Sequence, residues 1–273
     1  MNFNGILVVS DLDGTLMDSS KNISKKNIDT LRYFVNNGGL FTVATGRTEL
    51  NIRPFIRDLP INCPAILYNG AAIYDFKKEK FIKHACLDNS ILAHAIRDVL
   101  YEYNEICVQI FTVGKMYIVS GTRYIDPYVI HEKQPYELAD VLDIINEKWL
   151  KVILNGKNDK LKGILKKIES IIPKNKFNCM FSTDEYLEIL PFGVSKGSAL
   201  RELIKLIGVN ENKVVAIGDY CNDIEMIKVA YLGVATANAH NDLKKAAKCI
   251  TVSNDNSAVA TLINEVIPEF ISV

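Results

Sequence analysis

Asp11 and Asp13 stand two residues apart in the segment Asp11-Leu12-Asp13-Gly14-Thr15, directly after an apolar run, Ile6 to Val9. Two carboxylates at the end of a buried strand are costly unless something positive lies between them. A hard cation with oxygen ligands answers that need, and magnesium also neutralises phosphate. Asp and Gly favour turns on their own, so this segment alone is equally open to a plain turn. It is not a calcium EF-hand loop. The sixth loop position would be Leu16 rather than Gly, and the twelfth Asn22 rather than Glu.

Three further clusters have matching chemistry. Thr45-Gly46-Arg47 offers a hydroxyl, a flexible backbone and a cation, which together suit an oxyanion; alone it also reads as a Thr helix cap with a surface Arg. Lys196, in Val194-Ser195-Lys196-Gly197, is a point charge suited to a phosphoryl oxygen; alone it reads more simply as a solvated lysine at a helix start. Gly218-Asp219-Tyr220-Cys221-Asn222-Asp223 places two carboxylates and an amide after the apolar run Val214 to Ile217, where a capping turn is the plainer reading.

The elements that must hold these clusters follow from periodicity. Ile6 to Val9 is apolar and β-branched throughout, as in a strand buried on both faces of a parallel sheet. Ser24 can cap a helix with apolar Ile28, Leu31 and Val35, ended by Gly38-Gly39. A strand over Leu40 to Ala44, a helix over Thr48 to Asp58 and a strand over Ala65 to Tyr68 complete a β-α-β-α-β pattern. Paired strands beside helices then suggest an α+β module, with hairpins at Cys107 to Val119 and Cys179 to Leu190 and helices over Asp88 to Glu102, Glu137 to Glu147 and Lys160 to Ile171. Strand–helix alternation returns from Lys196 to Val266. The expected fold is α/β: a doubly wound, mainly parallel core sheet over residues 1–83 and 191–273, with an α+β domain inserted over residues 84–190. In such a sheet, ligands bind beyond the carboxyl ends of the strands, and all four clusters fall there or at a helix start nearby.

Composition narrows the function classes. Hydrophobic residues make up 48% of the chain, enough for a sizeable core. Lys+Arg and Asp+Glu are balanced at 32 each, so no field of one sign favours a nucleic acid or an acidic membrane as partner. Six scattered cysteines without a C-x-x-C pair argue against structural zinc and for free thiols in a reducing cytosol. His84, His94, His131 and His240 are isolated and form no zinc-binding pair. Ile6 to Val9 is too short for a signal peptide or membrane span, so a cytoplasmic location is expected. The lipase, Walker and dinucleotide glycine motifs are absent.

Taken together, the clusters resemble the four motifs of the haloacid dehalogenase superfamily of phosphatases, in its Cof-type branch. Asp11 to Thr15 resembles motif one, Thr45 motif two, Lys196 motif three, and Gly218-Asp219 through Asn222-Asp223 and Met226 motif four. Asn69-Gly70-Ala71 and Gly233-Val234-Ala235 with Asn238-Ala239 resemble two further elements of the branch, whereas Ser257-Ala258-Val259 departs from its frequent Asp-Gly-Val. About thirty residues between Thr15 and Thr45 leave no room for a domain, and about 150 between Thr45 and Lys196 leave ample room, as in members with the larger, late cap.

The resemblance implies hydrolysis of a phosphate monoester through a phospho-aspartate on Asp11, with Asp13 as general acid and base. It implies Mg²⁺ held by Asp11, Asp13 (through its carbonyl), Asp219 and Asp223, and phosphoryl oxygens held by Thr45 and Lys196. Gly46, Arg47, Asn69 and Asn222 would bind substrate, and residues of the Lys115 to Tyr117 and Asp184 to Tyr186 turns would help select the leaving group. The expected partner is a small phosphorylated metabolite: a sugar phosphate, a cofactor phosphate such as pyridoxal phosphate or FMN, or a nucleotide. The expected assembly is a monomer or small homo-oligomer. A sugar phosphomutase and a non-catalytic phospholigand-binding protein are the alternatives.

Overall fold

A computed structural model of the protein describes residues 1–173 and 175–271. In chain order its elements are β1 (Leu7–Ser10), α1 (Lys25–Asn36), β2 (Leu40–Val43), α2 (Arg53–Ile56), β3 (Ala65–Leu67), β4 (Ala72–Asp75) and β5 (Lys80–His84). There follow α3 (Asn89–Glu102), β6 (Cys107–Thr112), β7 (Lys115–Ile118), α4 (Pro127–His131), β8 (Glu137–Leu138), β9 (Trp149–Asn155), α5 (Asn158–Ile171), β10 (Phe177–Thr183) and β11 (Tyr186–Pro191). The chain closes with α6 (Lys196–Ile207), β12 (Val214–Gly218), α7 (Ile224–Val229), β13 (Leu232–Ala235), α8 (Asn241–Ala246), β14 (Cys249–Ile250), α9 (Ala258–Thr261) and α10 (Ile267–Ile271). Two units emerge: Met1–Lys83 with Ser195–Val273, and His84–Val194.

The first unit is built on a five-stranded parallel sheet in the order β14-β13-β12-β1-β2. β1 lies between β12 and β2, with Val9 opposite Ala216 on one side and Thr42 on the other. Every residue of β1 is buried, as its unbroken apolar run requires of a strand covered on both faces. Leu7 and Val9 pack with Leu200 and Leu203 of α6 and Met226 of α7, while α1 packs against α9 and β2. A smaller sheet, β3-β4-β5, adjoins through a bridge between Ala44 and Ile66. The carboxyl ends of β1, β2 and β12 therefore open side by side; the clusters of Asp11, Thr45 and Asp219 follow from them, and Lys196 begins α6.

The second unit has a six-stranded sheet in the order β10-β11-β9-β6-β7-β8, antiparallel except for β7 with β8. Its core joins α3 and α5 to the sheet through Ile96, Val99, Leu161 and Ile164 against Val108, Val152, Leu154 and Ile189. Trp149 is fully buried, and its indole N–H donates to the Ile144 carbonyl at 2.9 Å. The mixed α/β architecture is thus the one expected.

Two expected helices differ. Over Thr48 to Asp58 only the single turn α2 is helical. Thr48 and Asn51 close a turn on each other, N–H to side-chain oxygen at 2.8 and 3.1 Å, and Pro54 fits only the first turn of a helix. Over Glu137 to Glu147 there is the short strand β8 followed by turns. Asp140 there accepts the Leu142 N–H at 2.8 Å, drawing the backbone away from a helix. The sequence reading also passed over α4, although Asp126 caps it and Pro127 occupies its first turn.

Among the described residues no helix is long and apolar enough to cross a membrane. All six cysteines are free thiols.

Candidate active site

Asp11 follows β1, its N–H donating to the Ile217 carbonyl at 2.9 Å, so its side chain leaves the sheet beside the end of β12. The chain then turns sharply through Leu12 to Leu16, which requires Gly14 at φ +81°. A Cβ at Gly14 would lie 2.4 Å from a carboxylate oxygen of Asp219, so only glycine lets Asp219 and this loop approach each other. Thr15 donates its hydroxyl to Asp219 Oδ1 at 2.8 Å, and Asn238 Nδ2 donates to the Gly14 carbonyl at 2.8 Å.

Lys196 is the first residue of α6. Ser195 caps that helix in a reciprocal box with Ser198, at 3.0 and 2.9 Å, and a hydrogen bond from Ser195 Oγ to Glu225 ties the cap to α7. The lysine is not a solvated surface group. It is 1% exposed, and its ammonium donates to Asp11 Oδ1 at 2.6 Å and Asp223 Oδ1 at 2.7 Å. Asp223 is fully buried, and its second oxygen accepts the N–H groups of Asp219 and Tyr220 at 3.1 and 3.2 Å.

Asp11, Asp219 and Asp223 each offer an oxygen, all within 4.8 Å of one another. Three carboxylates stand against one ammonium, which bonds two of them, and the imbalance is visible in their proton affinities. Burial, then the charges of Asp223 and Asp219 against the pull of Lys196, holds Asp11 well above the usual carboxylate range. Burial and Asp223 push Asp219 up to about 6, although the Thr15 hydrogen bond and Lys196 oppose them. Burial would lower the Lys196 ammonium, but the charges of Asp11 and Asp223 outweigh it and raise it. An all-oxygen donor set with excess negative charge fits a hard divalent cation rather than zinc. Among the described residues this is the one such group of three.

Asp13 is held differently. Its carboxylate faces Arg47, which donates from Nε at 2.7 Å and a terminal nitrogen at 2.8 Å, and Lys21, which donates at 3.0 Å. Burial raises the carboxyl, yet the Arg47 hydrogen bonds and charge and then Lys21 bring it down to about 2. Arg47 itself is buried and stacks on Phe55, 4.2 Å from the ring centroid. Expected to bind substrate, Arg47 is here the fork that grips Asp13. Lys21 was missed in the sequence, where it sits unremarkably in a polar stretch.

Thr45 is buried beyond β2, its N–H bonded to the Ile66 carbonyl at 2.9 Å and its hydroxyl accepting the Arg47 N–H at 3.2 Å. The next turn, Tyr68 to Gly70, lies against this loop. Tyr68 and Asn69 donate N–H to the Arg47 and Thr45 carbonyls at 3.1 and 3.0 Å. Asn69 packs on Gly46, and its Oδ1 accepts from Asn222 Nδ2 at 3.1 Å. Gly70, at φ +103°, presses on the start of α6, where a Cβ would meet the Ser195 carbonyl at 2.1 Å. Tyr68 and Asn69 both have φ +53°, a conformation that costs a non-glycine residue about 1–3 kcal/mol. The structure thus brings Asp11, Lys196, Asp219 and Asp223 into one cluster, Asp13 with Arg47 into a second, and links Thr45, Gly46, Asn69 and Asn222 around it.

A family model described as haloacid dehalogenase-like hydrolase matches residues 8–263. A pyridoxal phosphate phosphatase of Escherichia coli is 27% identical over 274 residues, covering 94% of this chain and 97% of its own. A 5-amino-6-(5-phospho-D-ribitylamino)uracil phosphatase of Bacillus subtilis is 27% identical over 283 residues, covering 95% and 97%. The crystal structure of a haloacid dehalogenase-like hydrolase from Bacteroides thetaiotaomicron is similar at a TM-score of 0.84 and 31% identity, over 96% of this chain and 99% of that one.

Proposed function

Because the chain belongs to the haloacid dehalogenase-like hydrolase family, we propose that it is a magnesium-dependent phosphatase that hydrolyses small phosphate monoesters through a phosphoryl group carried on Asp11. The observation that carries this reading is the convergence of three carboxylates, two of them paired with one buried lysine. Mg²⁺ would be held by Asp11, Asp219 and the Asp13 carbonyl, with Asp223 orienting the group. When bound, it offsets the carboxylate and phosphate charges that would otherwise keep an anionic nucleophile from an anionic ester.

Lys196 grips the Asp11 carboxylate in place and opposes the protonation that burial favours. An Asp11 oxygen forms the bond to phosphorus as the ester oxygen leaves, splitting one difficult displacement into two easier ones. Asp13 gives a proton to that oxygen and then takes one from the water that releases phosphate. The incoming phosphate competes for Arg47 and Lys21, which frees Asp13 to carry the proton. Thr45, Lys196 and Asn222 hold the transferring oxygens, over which the transition-state charge spreads, with Gly46, Arg47 and Asn69 bordering them. The inserted unit is assigned the choice of leaving group. The relatives named for pyridoxal phosphate and for a ribitylaminouracil phosphate support a cofactor-sized or sugar-sized monoester as substrate.

Phosphate release from p-nitrophenyl phosphate should require Mg²⁺ and cease in EDTA, and acid-quenched enzyme should carry the phosphoryl group on the peptide containing Asp11. Equal turnover in EDTA, or a label on another residue, overturns the reading. A metabolite panel ranked by kcat/KM then identifies the ester.

A further inference from the structure

We propose that Glu49 and Tyr68 are positioning residues whose buried hydrogen bond locks the left-handed Tyr68–Asn69 turn and thereby fixes the phosphate pocket; this rests on the phosphatase reading for the nature of the oxyanion. Two consecutive non-glycine residues at φ +53° are unusual, and for a residue as bulky as tyrosine the conformation is an outlier. Such a backbone persists only where its surroundings over-determine it.

One directional contact is buried against this turn. The Tyr68 hydroxyl donates to Glu49 Oε2 at 2.5 Å, with Tyr68 1% and Glu49 4% exposed. The ring also packs on Phe81, centroids 6.4 Å apart. A carboxylate and a phenol are a costly pair to bury if filling space were the only requirement, since Leu and Phe would do that without desolvation. What the pair adds is direction. Glu49 lies two residues beyond Arg47, so its bond to Tyr68 is a third tie between the two loops, beside the backbone bonds to Thr45 and Arg47.

The turn also touches groups that hold or border the transferring group in the reading above. Its backbone holds Thr45 and Arg47, its amide holds Asn222, and Gly70 abuts the peptide between Ser195 and Lys196. A turn relaxed toward ordinary φ would move all four by tenths of an ångström or more, and phosphoryl-group catalysis is sensitive to such shifts.

The test compares wild type with Tyr68→Phe, Glu49→Ala and Glu49→Gln. It follows p-nitrophenyl phosphate turnover in Mg²⁺, inorganic phosphate binding by calorimetry, and melting temperature. Tyr68→Phe and Glu49→Ala should each lower kcat about tenfold and weaken phosphate binding by a similar factor, with melting shifted too little to unfold the protein at the assay temperature. Glu49→Gln, whose amide oxygen still accepts, should retain kcat within about threefold. A Tyr68→Phe protein whose kcat and phosphate affinity stay within about twofold of wild type overturns the inference. So does a loss that merely tracks the unfolded fraction. A wild type that binds phosphate without turnover sinks the phosphatase reading, while the phosphate arm still decides for or against the turn. A wild type that binds no phosphate sinks both.

Discussion

Both units bury charge, and they balance it in opposite ways. In the second unit Lys151 on β9 meets Glu188 on β11 at 3.2 Å, with side chains 3% and 6% exposed, one charge against one. Asp126, also buried, accepts from Gln109, Tyr186 and the Tyr128 N–H at 2.7, 2.7 and 2.9 Å, so neutral donors satisfy it. In the first unit Lys196 faces Asp11 and Asp223, with Asp219 alongside, one ammonium against three carboxylates. A balanced pair is complete within the fold. The unbalanced cluster is stable with its charge only when something cationic joins it, and that separates a structural ion pair from a site.

The largest test of this contrast is Asp11→Asn. It should cut turnover on the order of 10⁴-fold or more, since the oxygen proposed to attack phosphorus is lost. In EDTA its melting temperature should hold or rise, because one of the crowded carboxylates is gone. A lower melting temperature with activity retained would place Asp11 with the structural pairs. Next in size, Lys151→Met should cost about 3–5 kcal/mol in urea unfolding by stranding Glu188, and Lys151→Met/Glu188→Leu should recover to within about 1 kcal/mol of wild type. No recovery in the double variant would mean the pair is not self-contained. Lys196→Ala should lower kcat/KM by about 2–4 kcal/mol of transition-state stabilisation, and removing one further aspartate should not restore it. Activity within about twofold of wild type would remove Lys196 from the site.

The smallest effect is in pH dependence. Asp219, at about 6 in the fold against 3.8 ordinarily, binds its proton more tightly folded than unfolded, and Asp11 is shifted the same way. The stabilisation from Asp219 is complete below the ordinary value and is lost as pH rises through about 6, and that from Asp11 is likewise lost above the ordinary value. Asp13, lowered to about 2, acts in the opposite sense: its contribution is present above 3.8 and lost as pH falls through about 2. In EDTA the melting temperature should therefore decline from about pH 4 to pH 6, and Mg²⁺ should flatten the decline. A rise across that window in EDTA would remove the excess negative charge from the comparison.

The parts of the molecule governed by short-range rules were legible. β1 announced itself as an unbroken apolar run, and α6 begins and ends where Ser195 caps it and Gly208 turns left-handed. The four polar clusters could be read because three follow such a strand and Lys196 opens such a helix. The helices expected over Thr48 to Asp58 and Glu137 to Glu147 failed where a side chain took the backbone's hydrogen bond, a choice that hydrophobic spacing does not register. Lys21, Glu49 and Tyr68 were hidden for another reason. Their significance lies in partners brought by folding, Asp13 for the lysine and each other for the remaining two, and a tyrosine at positive φ has no compositional signature.

The pairing of β1 with β12 also bears on biosynthesis. Val214 leaves the ribosome about two hundred residues after Ser10, so β1 waits that long for its β12 partner. The stretch from His84 to Val194 is uninterrupted and is complete well before the sheet that was started first. The two units are thus finished in the reverse of the order in which they begin. In the interval the Leu7–Ser10 strand has one edge without its neighbour.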